Sequence, residues 1–245
     1  KRKRNLGLRA YQKIIAQLLL SFAAAYYAYK SSFIGSTLYD PIFGSIELGG
    51  WYIPFTMFMI IAVVNSANLT DGLDGLLSGV SLIYSIAMGV LFLYFAKVFD
   101  SSFINEPRFV ANRDGMLCMS VFAFAVAGGC LGFLKSNSYP AKVFMGDTGS
   151  MALGGAMSAM VIYSRSPFLF LLMGVCIVAS AVSVVLQVGS FKLRHGKRIF
   201  KMAPIHHHFE MCGWKEKKIC VVFSTVNAIG CAIGVLLLYF GNFAK

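Results

Sequence analysis

Seven mainly apolar stretches separated by short polar connections make up most of the chain: residues 14–29, 51–67, 76–96, 116–134, 149–163, 168–188 and 219–240. A helix that crosses a bilayer needs about 20 such residues, with a range of roughly 17 to 25. The first and fifth stretches are short, so the expected number of spans is about seven, with one in doubt. Only 13% of residues are charged and 58% are hydrophobic, whereas a soluble domain carries about 25% charged residues. An ordinary water-soluble fold is thereby excluded. The expectation is an all-α, polytopic membrane helix bundle, one membrane domain over residues 1–245.

The few charges are lopsided, with 22 Lys and Arg against 10 Asp and Glu, a net of +12. A basic chain could suggest a nucleic-acid partner, but that needs a basic face on a soluble fold. Here the bases sit between apolar runs, and no nucleic acid is expected. The positive-inside bias of membrane proteins explains the excess better. Seven spans divide the connections into two sets. One holds Lys1, Arg2, Lys3, Arg4, Arg9 and Lys13, then Lys135 and Lys142, then eight more bases from Lys192 to Lys218, sixteen in all. The other holds only Lys30, Lys97, Arg108, Arg113, Arg165 and Lys245. The richer set is placed in the cytoplasm and the C-terminus outside. Lys1-Arg2-Lys3-Arg4 precedes an apolar run with no small-residue cleavage motif, so it is not read as a signal peptide.

The six cysteines show no C-x-x-C pairing, and most lie in apolar runs, where a thiol behaves as a small hydrophobe. The spacings Gly128/Gly132 and Gly230/Gly234 fit close helix crossing, either within the bundle or at a homodimer seam.

Three connections on the expected cytoplasmic side carry the chemistry. The first is Asn65-Ser66-Ala67-Asn68-Leu69-Thr70-Asp71-Gly72-Leu73-Asp74-Gly75. If it continues as helix, Asp71 and Asp74 share a face that Asn65 and Asn68 extend. Two carboxylates there suit Mg²⁺ held together with substrate phosphates, since Mg²⁺ takes only one or two protein carboxylates. An Asp-Gly turn capping the next helix is the plainer alternative. The second connection runs from Asn137 through Lys142-Val143-Phe144-Met145-Gly146-Asp147-Thr148-Gly149. Asp147 fits a helix N-cap, or an acid beside an anion-binding helix start. Phe144 could anchor at the interface or stack on a base. The third contains Pro204-Ile205-His206-His207-His208-Phe209-Glu210. Adjacent histidines do not converge on one metal as an i, i+4 pair does, so contact with phosphate oxygens is preferred over zinc. Gln187, polar near the end of an apolar run, points into a cavity or marks the interface.

Together these motifs resemble the polyprenyl-phosphate N-acetylhexosamine-1-phosphate transferases along nearly the whole chain. The unbroken Pro204-Ile205-His206-His207-His208-Phe209-Glu210 points to the muramoyl-pentapeptide branch over the N-acetylglucosamine-phosphate branch. That resemblance implies a Mg²⁺-dependent transfer of phospho-N-acetylmuramoyl-pentapeptide from its UDP-linked donor to undecaprenyl phosphate, giving lipid I and UMP. The reaction would run on the cytoplasmic face of the bacterial inner membrane, either directly or through a covalent phospho-sugar on an aspartate. The resemblance makes Asp147 the magnesium aspartate, with Asp71 and Asp74 the second acidic motif. Phe144 becomes the aromatic on uracil, with Asn137 near it and the backbone of Gly72 and Leu73 at the uracil. Asn65, Asn68 and Gln187 line the cleft, and His206, His207 and His208 approach the pyrophosphate or nucleoside. It also implies further helices and an adjacent aspartate pair upstream of the segment Lys1 to Arg9, outside these 245 residues. The nearest rival is an N-acetylglucosamine-1-phosphate transferase of the same family. An ion-coupled transporter is less favoured, because its acids would lie within the spans rather than at their ends.

Overall fold

A computed structural model describes residues 10–40, 44–102 and 107–240. The bases Lys1, Arg2, Lys3, Arg4, Arg9 and Lys245 lie outside them. Nine α-helices occur among the described residues: α1 (Ala10–Lys30), α2 (Tyr52–Thr70), α3 (Leu76–Ser102), α4 (Pro107–Asn137), α5 (Gly146–Ser164), α6 (Pro167–Met173), α7 (Val175–Leu193), α8 (Ile205–Met211) and α9 (Glu216–Phe240). Five stretches, Gly49–Thr70, Leu76–Val98, Asn112–Asn137, Val175–Leu193 and Glu216–Leu238, are long and apolar enough to cross a membrane. The chain is an all-α multi-pass membrane protein. The other two expected spans exist as α1 and α5, of 21 and 19 residues, but they fall outside that apolar set. Lys13, Gln17 and Ser21 dilute α1, and Asp147, Thr148, Ser150 and four glycines dilute α5.

Two departures from the sequence reading matter for the site. The expected sixth span is broken at Gly174 into α6 and α7. The Gly174 amide still bonds to Phe170 at 2.8 Å, and a Cβ at Gly174 would lie 2.9 Å from the Phe170 ring. A bare backbone is therefore required where the helix bends. The connection between α1 and α2 contains an antiparallel pair, β1 (Thr37–Asp40) and β2 (Gly44–Glu47), with Thr37 opposite Glu47. Glu47 accepts from the hydroxyls of Ser36 and Thr37 and from the amide of Gly49.

The core runs along α3, where Leu76, Leu77, Val80, Tyr84, Met88, Leu91 and Phe92 are all buried against α2, α4, α6 and α9. Burial of this kind contributes roughly 1.5–3 kcal/mol per large side chain in water. Within lipid, close packing takes over that role. Glycine seams show where helices touch most closely. A Cβ at Gly154 of α5 would lie 2.6 Å from the Val64 Cα of α2, and one at Gly230 of α9 would lie 2.3 Å from the Leu172 carbonyl oxygen. The Gly230/Gly234 spacing is thus bundle packing against the end of α6. Gly128 and Gly132 on α4 meet nothing within 4 Å, which leaves their stripe open.

Candidate active site

The start of α1, the end of α2, the starts of α3, α5 and α9, the end of α4, and α8 all lie at one end of the bundle. The three motif connections meet there. α2 stops at Thr70, whose hydroxyl bonds back to the Ser66 carbonyl at 2.8 Å. Asp71 leaves helical geometry at φ −77°, ψ 54°, and Gly75 turns at φ 78° before α3 begins. Asp71 and Asp74 consequently do not share a helical face. Asp74 Oδ2 accepts the amide of Ala141 at 2.8 Å and so ties the turn to the connection after α4. It does not cap α3. Beside it, between α3, α4 and α9, lies a cavity of about 420 Å³ with Lys217 and Tyr139 among its lining residues.

Asp147 sits in the first turn of α5, one residue inside it, rather than at the N-cap, which is Met145. A carboxylate there is favoured by the partial positive charge of the helix start. Its Oδ1 accepts the Asn68 amide at 3.0 Å, and its Oδ2 pairs with the Lys13 ammonium. Asn68 also donates to Ser150 Oγ at 2.9 Å. The Lys13 and Asn68 hydrogen bonds hold the Asp147 carboxyl below the usual carboxylate range. Asp71 moves the other way. Burial, and then the nearby charge of Asp147, push its carboxyl up. Behind this pair, Asn65 and the buried Gln17 of α1 bond through their amides, with Asn65 Nδ2 donating to Gln17 Oε1 at 3.0 Å.

The three histidines stand on α8, where successive side chains are turned by about 100°. They therefore enter three different surroundings. His206 is fully buried, and neither ring nitrogen has a partner. Burial, and then His207, depress its pKa to about 3, so the ring is neutral. His207 Nδ1 lies 2.9 Å from Glu210 Oε2, and the ring stays partly exposed. His208 Nδ1 accepts the Lys201 amide at 3.1 Å, and its ring meets Phe200 edge-on at 5.7 Å. Gly72 rests against the first two rings: a Cβ there would lie 2.4 Å from His206 Nε2 and 3.0 Å from His207 Nε2. Leu73 buries its side chain, which leaves only backbone for a ligand.

The remaining expected residues lie outside this cluster. Asn137 is buried. It accepts from Ser78 Oγ at 2.8 Å and donates to the Val143 carbonyl at 3.0 Å, bracing the connection. Phe144 is 75% exposed. It borders an apolar groove of about 700 Å³ between α4 and α5, lined in part by Gly129, Cys130, Ala152 and Ala156. Gln187 Oε1 accepts the amides of Ile199 and Phe200, and its Nε2 donates to the Phe200 carbonyl at 3.0 Å. With Ser183, which accepts the Ile205 amide, and Ser190, which donates to the Lys197 carbonyl, it forms one polar face of α7 that pins the connection leading to α8. Sequence reasoning missed Lys13, Gln17, Ser150 and Glu210. Lys13 had been counted only as an orientation charge. Among the described residues no three His, Cys, Asp or Glu side chains converge on a metal position. The residues present still fit a hard divalent ion that keeps water and phosphate as its other ligands. Asp147 is exposed, and after burial its charge is what raises the pKa of Asp71, a repulsion that a cation would relieve.

The fold and this end of the bundle define a multi-pass membrane protein with an acid, amide and imidazole cluster where six helices begin or end around α8. The description of glycosyl transferase family 4 matches residues 5–165. The chain is 47% identical, over 98% of its length, to a phospho-N-acetylmuramoyl-pentapeptide-transferase of Clostridioides difficile (strain 630), of which it covers 69%. It is 46% identical over 96% of its length to the protein of that name from Clostridium novyi (strain NT), covering 67%. For that of Caldanaerobacter subterraneus the figures are 45% identity, 93% of this chain and 65% of the relative. The chain thus spans about two thirds of the length of these relatives, and it belongs to glycosyl transferase family 4.

Proposed function

We propose that this chain carries the transfer of phospho-N-acetylmuramoyl-pentapeptide from its UDP-linked donor to undecaprenyl phosphate, releasing UMP and leaving lipid I, on the cytoplasmic face of a bacterial inner membrane. The observation that carries this reading is the 47% identity with a relative so named, held over 98% of the chain. The meeting of all three motif connections at one end of the bundle supports it.

A lipid phosphate anchored in the bilayer and a soluble nucleotide can meet only at the membrane surface. The site lies at helix ends, as that encounter requires. Asp71, Asp74 and Asp147 would repel a pyrophosphate, so the site needs added positive charge. Mg²⁺ held by Asp147 with Asp71 facing it would supply charge neutralisation at the pyrophosphate. The Lys13 ammonium, now on Asp147, is the protein's own cation at that position. Asn68 fixes the Asp147 carboxylate from one side while anchored to Ser150. His207, backed by Glu210, presents Nε2 toward the turn, where its imidazolium form would donate to charge that builds on the departing UMP. Gly72 and Leu73 offer backbone to the uracil, Phe144 an exposed ring for stacking, and Asn65 a polar wall. The open Gly128/Gly132 stripe of α4 suits lipid or a second copy of the chain.

The test is the rate of lipid I and UMP formation by the intact membrane protein with Mg²⁺, both lipid and UDP-linked donor being present. Asp147→Asn is expected to slow turnover by about 100-fold or more, and near-normal turnover would remove Asp147 from the metal role. Offering UDP-N-acetylglucosamine instead separates this reading from the neighbouring branch of the family.

A further inference from the structure

The three imidazoles of α8 cannot share one task, because their surroundings differ so sharply. His206 has no exposed surface and no hydrogen bond to orient it. What holds the ring is contact alone: His207 at 4.4 Å between centroids, Phe223 edge-on at 6.4 Å, and the backbone of Gly72. A ring held only by packing transmits position rather than charge. Its depressed pKa is consistent with that, since the imidazole stays neutral. Gly72 has no left-handed φ to explain it, unlike Gly75. The side chain is missing there because the space is filled by His206 Nε2, 2.4 Å from where a Cβ would stand.

The geometry points to a division of labour in the histidine run: His206 is a positioning residue, a wedge that sets the height of the Asp71-Gly72-Leu73 turn, while His207 is the ring that meets the substrate. The inference rests on the reading above, in which the nucleotide end of the donor lies on the backbone of this turn. Raising or lowering the turn would move Gly72 and Leu73 against the base and leave the reacting phosphate with His207 and Asp147. Losing the wedge should therefore weaken donor binding, and losing His207 should slow the chemical step.

The experiment is a double-mutant cycle in the intact membrane protein with Gly72→Ala, His206→Ala and the pair. Thermal unfolding reads the contact without reference to activity. Gly72→Ala is expected to lower Tm in the parent and to cost much less in the His206→Ala background, where the added methyl finds room. Equal costs in both backgrounds would overturn the wedge. Steady-state kinetics read its consequence: Gly72→Ala and His206→Ala are each expected to raise the donor KM about tenfold, with kcat and the lipid KM within about twofold, whereas His207→Ala lowers kcat. A fall in kcat for His206→Ala at unchanged donor KM would make His206 a catalytic residue and overturn the positioning role. If the parent protein forms no lipid-linked product from any UDP-sugar, the functional reading fails, while the Tm cycle still decides the contact.

Discussion

At the scale of single residues, the most telling contrast is between two carboxylates of the same cluster. Asp147 is held low by Lys13 and Asn68, and Asp71 is pushed high by burial and by Asp147. A carboxyl whose folded pKa is raised favours the folded state below its unfolded pKa and loses that contribution as pH rises through the folded pKa. The ionised form of Asp71 is therefore the one the fold disfavours. Asp71→Asn is expected to raise Tm by about 2–4 °C at pH 7 in chelator. The gain should shrink as pH falls toward 4, and it should vanish when Mg²⁺ is added to both proteins. A gain independent of pH would show that charge is not the cause. The sequence marked both acids, and it marked Asn68, because their spacing at a helix end is unusual. It could not show that Asn68 and Asp147, 79 positions apart, share a hydrogen bond, or that Lys13 closes the set from another helix. Such pairings are properties of packing between elements and leave no periodic trace.

At the scale of elements, the seam between α2 and α5 governs the site. Gly154 lets α5 pass so close to Val64 that an added methyl would meet backbone at 2.6 Å. Asn68 lies one turn beyond Val64, and Asp147 lies about two turns before Gly154, so this seam holds Asn68 on Asp147. Gly154→Ala should destabilise the protein by about 1–3 kcal/mol through overpacking. It should also reduce turnover measured at a temperature where the variant remains folded, and unchanged turnover there would free the site from the seam. Helix positions were legible because apolar runs bounded by polar clusters are strong signals. The break at Gly174 and the helix α8 were not, since a single glycine in an apolar run and a seven-residue polar segment carry weak ones. The helical form of the His segment explains what the letters alone could not: three identical side chains acquire a buried wedge, an acid-backed ring and a strut on the Lys201 amide.

At the scale of the whole molecule, the motif loops gather at one end of the bundle, and among the described residues Lys13, Lys135, Lys142 and the bases from Lys192 to Lys218 lie in the same set of connections. Cys212, exposed beside α8, provides a direct reading of which way that end faces. A membrane-impermeant maleimide should label it in inside-out vesicles and fail to do so in intact cells. Labelling in intact cells would invert the assigned sidedness. The two ends of the bundle are also fastened differently. At the far end the Tyr39 amide bonds to the Arg165 carbonyl at 2.8 Å, and the Arg165 guanidinium lies over the rings of Phe33 and Tyr39 at 5.7 and 5.5 Å. The motif end is joined mainly through side chains, by Lys13, Asn68 and Asp74. A bundle clipped by its backbone at one end and by exchangeable polar side chains at the other is expected to open more readily at the second, as a peg opens at its jaws. Amide exchange in the turn 71–75 should accordingly outpace that at Tyr39.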